Sequence, residues 1–310
     1  MHMHRTDVNT DLRSNLTSDE AERKSPNRPG VWQLGEQAVN RIGFGTKRLG
    51  RSPEQAIELL RQAVALGINH LDTAGFYPSV GRAGEKHGFD SLEWANDAVR
   101  RALTPYSDEL MIATKVGPTE DGLARPDQLR ALVEHDLQQL GLETLDLVYL
   151  RQSGLTSVAE HFGVLAELRA AGLIKHLGLS NVRIEHLAQA QEIAPVVAVQ
   201  NRYGVGFGRV NDAMLETCGA QGIAFVPFFA VTATGREQGG VAESDPVDTI
   251  ARAHNATPAQ IRIAWTLAKG PHVLAIPGTG NPDHLTENVA AGAIHLSPDQ
   301  LTILDAIPSE

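Results

Sequence analysis

Apolar, strand-like segments alternate with amphipathic, helix-like segments along most of the chain. The strand candidates cover residues 39–45, 68–73, 110–115, 145–151, 174–180, 196–201, 223–229 and 272–277. Strand–helix alternation predicts parallel pairing, because each intervening helix returns the chain to the same edge of the sheet. Eight such units in a chain of 310 residues predict a closed (β/α)8 barrel.

The main alternative to the barrel is an open, doubly wound sheet that binds a dinucleotide. Such a sheet usually carries a G-x-G-x-x-G turn after its first strand. Here the corresponding turn reads GFGTKRLG, and its glycine spacing does not match that motif. The barrel is therefore favoured over the open sheet.

Composition limits the surroundings and partners of the protein. Residues 1–30 are polar and lack the apolar core of a signal peptide, so we expect a flexible tail followed by one barrel domain over residues 31–310. No stretch approaches the ~20 apolar residues of a membrane span. The net charge of -10, without a concentrated Lys/Arg tract, disfavours nucleic acids and anionic membranes as partners. Cys218 is the only cysteine, which fits a reducing, cytoplasmic location.

Polar side chains follow the predicted strands at the point where each strand ends. The chemistry of a (β/α)8 barrel is found at the carboxyl ends of its strands, where the loops form one mouth. The residues at these ends are Thr46, Lys47, Asp72, Tyr77, Lys115, Arg151, Ser180, Asn181, Gln200, Asn201, Tyr203 and Thr279. Each alone has an ordinary explanation, such as a helix cap or an exposed charge, but their shared position predicts an active site.

Asp72, Tyr77 and Lys115 have the chemistry of an acid–base site. Opposite charges at neighbouring strand ends would pair in the mouth, and the lysine charge would favour the ionised form of a nearby phenol. A free phenol, with a pKa of about 10, is a poor proton donor near neutrality. We therefore predict that Asp72 holds Lys115 and that Lys115 prepares Tyr77 as a proton donor. The scattered histidines form no HxxxH pair and there is no cysteine cluster, so no metal site is predicted.

Seven short motifs, in order and at suitable spacing, resemble the aldo-keto reductase family. They are LDTAGFY, IATK, LDLVYL, GLSN, VQNRY, VPFF and IPGTGNPDHLTENVAA, and the resemblance runs from about Val31 to the C-terminus. It implies a (β/α)8 barrel that binds NADPH and passes a hydride to a carbonyl carbon. By motif position, Asp72, Tyr77 and Lys115 match three of the four catalytic residues, with Tyr77 as the proton donor.

The resemblance also implies which residues contact the cofactor. Ser180, Asn181 and Gln200 would hydrogen-bond the nicotinamide carboxamide. Tyr203 would stack on the nicotinamide ring, and the loop after Pro227 would cover the pyrophosphate. The other implied contacts are Thr46, Lys47, Phe228, Phe229 and Ile276, together with Gly278, Thr279, His284, Glu287 and Asn288 for the adenosine 2′-phosphate and adenine. Many relatives carry arginine in place of His284, so the preference for NADPH over NADH stays open.

Arg151 is the main departure from the family pattern, which has histidine at this strand end. A guanidinium is permanently charged and forks two donors, so it cannot shuttle a proton as an imidazole can. It would orient the carbonyl or pair with an anionic group of the substrate. The substitution, together with GLSNV and VPFF, resembles the bacterial pyridoxal-reductase branch of the family. An ionised phenolic oxygen beside the aldehyde would give Arg151 its partner, so we predict the reduction of pyridoxal to pyridoxine.

The pattern has three alternative interpretations. The substrate of the same chemistry could be a general aldehyde, or a sugar or polyketide ketone. The barrel could instead be a nicotinamide-binding regulatory subunit, like those of potassium channels. Purely structural roles for the strand-end residues are disfavoured by seven motifs in order. The physiological direction of the reaction and the oligomeric state are not determined by the sequence.

Overall fold

The computed structural model describes residues 30–50, 52–77, 94–228, 230 and 245–309. The predicted tail, apart from Gly30, and the predicted cofactor residue Phe229 lie outside these ranges. The strands are β1 (Val31–Leu34), β2 (Gln37–Asn40), β3 (Phe44–Gly45), β4 (His70–Asp72), β5 (Met111–Val116), β6 (Pro118–Thr119), β7 (Gly122–Leu123), β8 (Leu145–Arg151), β9 (Ile174–Ser180), β10 (Val196–Gln200) and β11 (Ala224–Phe225). The α-helices are α1 (Pro53–Ala65), α2 (Ala95–Leu103), α3 (Leu129–Leu140), α4 (Ala159–Ala170), α5 (Ile184–Gln191), α6 (Asp212–Ala220), α7 (Asp245–Ala253), α8 (Pro258–Ala268), α9 (Pro282–Ala290) and α10 (Pro298–Asp305).

Seven parallel strands form one curved sheet in the order β3-β4-β5-β8-β9-β10-β11. The last predicted strand, residues 272–277, forms isolated parallel bridges rather than a regular strand. Val273 pairs with Phe225 on one side, and Ala275 pairs with Ile42 on the other. Because this segment contacts both ends of the sheet, it closes the barrel. The predicted (β/α)8 fold is confirmed.

The first predicted strand, residues 39–45, is two elements in the structure. Its beginning belongs to an antiparallel hairpin of β1 and β2, and its end, Phe44 and Gly45, forms a short barrel strand that the Ile42 bridge to Ala275 extends. Arg41 lies between the two elements, and its side chain donates to the backbone oxygens of Val273 and Gly270. Leu34 and Val39 of the hairpin are fully buried in the cluster that fills the barrel interior. The hairpin therefore contributes apolar side chains to the interior core of the barrel.

Side-chain alternation along the strands places the polar residues in the mouth of the barrel. On β5, Met111 and Ala113 belong to the interior cluster, and the next residue of the same face is Lys115. On β8, Tyr149 belongs to that cluster, and the next residue of its face is Arg151. Successive side chains of a strand point to opposite faces. Lys115 and Arg151 are therefore the last inward-facing residues of their strands.

The helices surround the sheet, and several of them begin with side-chain caps. Ser52 caps α1 by accepting a hydrogen bond from the Gln55 backbone N–H, and Pro53 occupies the first turn. Thr257 caps α8 in the same way through the Gln260 N–H. In the described part of the chain, no helix has the length and apolar character needed to cross a membrane.

Candidate active site

A cleft lies where the carboxyl ends of the barrel strands meet. It contains about 690 Å³ of space, part of which is open solvent. Its lining residues are Gly45, Lys47, Arg48, Asp72, Tyr77, Arg151, Gln200, Phe228, Ala230, Ile276, Pro277 and Gly278. The sequence predicts all of these as site residues except Gly45, Arg48, Ala230 and Pro277. Strand ends that are far apart in the chain are thus brought to one cleft.

Asp72 and Lys115 form a buried ion pair at the base of the cleft. The Lys115 Nζ atom lies 2.7 Å from Asp72 Oδ1 and 2.9 Å from the Thr73 backbone oxygen. Gln200 Nε2 donates to the other carboxylate oxygen, Asp72 Oδ2, at 2.6 Å. A buried charge is costly unless it is paired and hydrogen-bonded, and here both carboxylate oxygens have donors. The predicted contact between Asp72 and Lys115 is present, and Gln200 supports it.

Tyr77 lies beside this ion pair and lines the cleft. Lys115 Nζ is 4.9 Å from the centroid of the Tyr77 ring, and the Phe76 ring packs against it edge-on at 5.1 Å. The Tyr77 backbone oxygen accepts a hydrogen bond from the Ala95 N–H at 2.8 Å, which ties the tyrosine to the start of α2. A fixed positive charge therefore lies next to the Tyr77 phenol at the wall of the cleft, where it would stabilise negative charge that develops on the phenolic oxygen.

Arg151 contributes a second cation to the cleft. It is partly exposed at the end of β8, and its Cζ atom lies 5.7 Å from the centroid of the Phe228 ring. The carboxylate that lines the cleft, Asp72, is already held by Lys115 and Gln200. Among the described residues, no carboxylate pairs with Arg151. Its guanidinium is thus placed to bind an anionic or carbonyl oxygen from outside the chain.

Several predicted cofactor residues offer unused hydrogen-bonding groups or space. The hydroxyls of Ser180 and Thr46 are fully buried and have no hydrogen-bond partner within the described residues. Asn181 has a positive φ of 62° and donates from Nδ2 to the Gln152 backbone oxygen. A Cβ atom on Gly278 would lie only 2.4 Å from the Gly45 oxygen, so no side chain fits there. Ser180 and Thr46 are not among the described residues that line the cleft, whereas Gly278, Lys47 and Arg48 are. Bare backbone next to two cations fits an anionic nicotinamide dinucleotide.

The residues predicted for the adenosine end lie on and before α9. Thr279 Oγ1 accepts a hydrogen bond from the Asn281 N–H, and Asn281 caps the helix. Asn288 is buried, whereas His284 is exposed. The Glu287 backbone oxygen accepts from Gln260 Nε2, which anchors α9 to α8. Contacts of these residues with adenosine remain a prediction. So does the contact of the loop after the buried Pro227 with the pyrophosphate.

Tyr203 is not among the described residues that line the cleft. Its ring is buried and stacked on Trp265, with centroids 5.6 Å apart, and its hydroxyl donates to Asp212 at 2.6 Å. The predicted stacking of Tyr203 on the nicotinamide ring is therefore unsupported by the structure. The packing with Trp265 and the hydrogen bond to Asp212 hold the side chain away from the mouth. Phe228 instead presents an aromatic ring to the cleft.

Arg48 is a cleft residue that the sequence reasoning missed. It ends a short 3-10 turn, Thr46–Arg48, that follows β3. Burial lowers the pKa of its guanidinium from the ordinary value, without making it neutral near physiological pH. The signal that could have identified it is the pair of cations, Lys47 and Arg48, directly after a strand end.

A second buried carboxylate, Asp136, lies behind the site on α3. Burial raises its pKa to about 7, although the hydrogen bond from Thr114 and the charge of Lys115 act in the opposite direction. The native protein therefore holds this proton over a pH range in which the unfolded chain has released it, so raising the pH favours unfolding.

Asp136→Asn should remove this pH dependence. Relative to the variant, the free energy of unfolding of the wild type should fall by about 4 kcal/mol from about pH 4 to about pH 8. Urea unfolding across this range measures it. Asp127→Asn changes an exposed aspartate and serves as the control, which should show no such trend. Parallel stability curves for wild type and Asp136→Asn would contradict the prediction.

Known proteins resemble this chain over nearly its whole length. The aldo/keto reductase family model matches residues 41–308. A pyridoxine 4-dehydrogenase of Escherichia coli (strain K12) is 38% identical over 304 residues, covering 90% of this chain and 99% of that protein. The methylglyoxal reductase YeaE of the same strain is 26% identical over 277 residues, covering 87% of this chain and 92% of that protein.

Solved structures show the same similarity. An aldo-keto reductase from Klebsiella pneumoniae, in complex with NADPH, has a TM-score of 0.75 and 25% identity, covering 91% of this chain and 96% of that one. The family match, the relatives and the strand-end cleft agree with one another. The chain belongs to the aldo/keto reductase family of NAD(P)H-dependent oxidoreductases that act on carbonyl groups.

Proposed function

We propose that this protein reduces pyridoxal to pyridoxine with NADPH. The observation that carries the proposal is that one cleft holds both Tyr77, beside the buried Asp72–Lys115 pair, and the Arg151 guanidinium, which has no carboxylate partner among the described residues. The 38% identity with a pyridoxine 4-dehydrogenase supports the substrate. Another small carbonyl compound is the alternative within the same chemistry.

The chain offers groups for the nicotinamide and for the phosphates of NADPH. The Ser180 hydroxyl and the Asn181 and Gln200 amides would hold the carboxamide. Phe228 would stack on the nicotinamide ring, and Lys47 with Arg48 would lie near phosphate oxygens. NADPH, when bound, supplies the hydride that the carbonyl carbon receives.

Tyr77 would donate the proton that the carbonyl oxygen needs. Its phenol would hydrogen-bond this oxygen, and proton transfer would leave a phenolate beside the Lys115 ammonium. Asp72 and the Thr73 backbone oxygen hold that ammonium 2.7 and 2.9 Å away. The ion pair thus fixes a positive charge where the phenolate charge develops, at no further cost of reorganisation.

Arg151 would recognise the oxygen that distinguishes pyridoxal from a simple aldehyde. Pyridoxal carries an ionisable phenolic oxygen next to its aldehyde, and a guanidinium binds such an oxygen by charge-assisted hydrogen bonds. The Phe228 ring, 5.7 Å from Arg151 Cζ, would hold the guanidinium plane at the cleft wall. Arg151 is then a specificity residue rather than a proton shuttle.

Arg151→His should lower kcat/KM for pyridoxal by about 10- to 100-fold, since a hydrogen bond to a charged group contributes about 1.5–3 kcal/mol. For pyridine-4-carbaldehyde, which lacks the phenolic oxygen, the same variant should change kcat/KM by less than about threefold, because this interaction is missing. NADPH oxidation with each aldehyde measures both values.

Arg48→Gln is the matched control, because it removes a different arginine from the same cleft. It should weaken NADPH binding and affect the two aldehydes equally. An Arg151→His enzyme that keeps the full preference for pyridoxal would overturn the proposed role. If the protein reduces other carbonyl compounds but not pyridoxal, the proposed reductase activity stands and the proposed substrate is wrong.

A further inference from the structure

A layer of buried polar side chains lies behind the loop that connects Asp72 to Tyr77. It consists of Asn96 on α2 together with Asp136 and Gln139 on α3, all buried. None of the three is among the described residues that line the cleft. Buried polar groups are expensive unless they are hydrogen-bonded, so a layer of this kind needs a physical reason.

The hydrogen bonds of this layer form a ring that begins and ends on the loop. Thr73 Oγ1 donates to Asn96 Oδ1 at 2.7 Å, and Asn96 Nδ2 donates to Gln139 Oε1 at 2.9 Å. Gln139 Nε2 then donates to the Gly75 backbone oxygen at 3.4 Å. Thr73 is thereby held to α2, and Gly75, two residues later, is held to α3.

Asp136 contacts both the loop and the other side chains of the layer. Its Oδ1 atom lies against Gly75, where an added Cβ would come within 1.9 Å, and it accepts from Asn96 Nδ2 at 3.5 Å. Its Oδ2 atom accepts from Thr114, the neighbour of Lys115 on β5. Lys115 is the charged residue that acts on Asp136, whereas its hydrogen-bonding neighbours Asn96 and Thr114 are neutral.

The loop held in this way carries the groups of the proposed chemistry. The Thr73 backbone oxygen accepts from Lys115 Nζ, and its N–H donates to the Ala113 oxygen. The Tyr77 N–H donates to the Ala74 oxygen. A displacement of Thr73 or Gly75 would therefore move both the ammonium and the phenol.

We propose that Asn96, Asp136 and Gln139 are positioning residues, which fix the loop from Thr73 to Tyr77 and so set the placement of Lys115 and Tyr77. The inference rests on the proposed reductase function for its kinetic consequence. Positioning errors of about 1 Å at a reacting group can cost about 100-fold in rate. These residues should consequently affect turnover more than cofactor binding.

Thr73→Val and Gln139→Leu test the ring at two places while keeping the shape of each side chain. Both should lower kcat by about tenfold or more, with the Kd for NADPH within about twofold of the wild type. Thr73→Ser keeps the hydroxyl and should restore most of the turnover. Gln138→Leu makes the same change at the next, exposed position of α3 and should leave kcat unchanged.

A measurement without substrate separates this inference from the proposed function. Hydrogen–deuterium exchange of the peptide that spans residues 70–77 should become faster in Thr73→Val and Gln139→Leu, but not in Gln138→Leu. Faster exchange in an enzyme that reduces no carbonyl would reject the function and retain the positioning. Unchanged exchange, unchanged kcat, or a parallel loss of kcat, NADPH affinity and melting temperature would overturn the inference.

Discussion

Tyr77→Phe should lower kcat for carbonyl reduction by about 1,000-fold, which corresponds to about 4 kcal/mol in the activation barrier. The substitution removes only the hydroxyl, so the ring keeps its edge-on contact with Phe76 and its place beside Lys115. Without the phenolic proton, the carbonyl oxygen has no donor from this side chain. The Kd for NADPH, measured by fluorescence, should stay within about twofold of the wild type, since the cofactor contacts are made by other residues.

Tyr106→Phe is the matched control for this change. Tyr106 is a half-buried tyrosine outside the cleft, and its hydroxyl donates to the Leu140 backbone oxygen at 2.8 Å. Losing that hydrogen bond should cost about 1 kcal/mol of stability and leave turnover unchanged. A Tyr77→Phe enzyme with kcat near that of the wild type would remove Tyr77 from the mechanism.

Lys115→Met should have the largest effect on stability. The Lys115 side chain is 1% exposed, and removal of its ammonium group leaves the Asp72 carboxylate buried, with Gln200 as its one remaining side-chain donor among the described residues. Breaking a buried ion pair by removing one partner typically costs about 3–5 kcal/mol. The free energy of unfolding in urea should fall by about this amount, and turnover should be lost as well.

The double variant Asp72→Asn/Lys115→Met separates the two effects. With no charge left unpaired, most of the lost stability should return, because the main penalty in the single variant is the uncompensated carboxylate. Turnover should not return, since the positive charge beside Tyr77 is still missing. If the double variant is as unstable as Lys115→Met, the buried charge is not the cause of the instability.

The strand-end residues could be predicted from sequence because a parallel barrel brings the carboxyl ends of its strands to one mouth. Asp72, Lys115 and Arg151 each end an apolar segment, and period-two alternation places each on the inner face. The strand boundaries were harder to predict. Residues 39–45 read as one apolar segment, yet they belong to a hairpin and a short barrel strand. Arg41, between the two, makes side-chain contacts with a segment that is far away in the sequence.

Contacts between residues that are far apart in the chain could not be predicted from the sequence. The hydrogen bond from Gln200 to Asp72 joins residues 128 positions apart, and no local pattern signals it. Tyr203 follows a strand end as the cleft residues do, but Trp265 and Asp212 hold it elsewhere. Asp136 and Gln139 lie on an amphipathic helix among other polar residues, so their burial is visible only once α3 is packed against the loop.

Pyridoxal-dependent oxidation of NADPH, followed by its near-ultraviolet absorbance, tests the central claim most directly. The purified wild-type protein should oxidise NADPH only when pyridoxal is present, with pyridoxine formed in equal amount, and Tyr77→Phe measured alongside should show almost none of this activity. If the wild type neither binds NADPH nor oxidises it with pyridoxal or any other carbonyl compound, the account of this cleft as a reductase site is wrong.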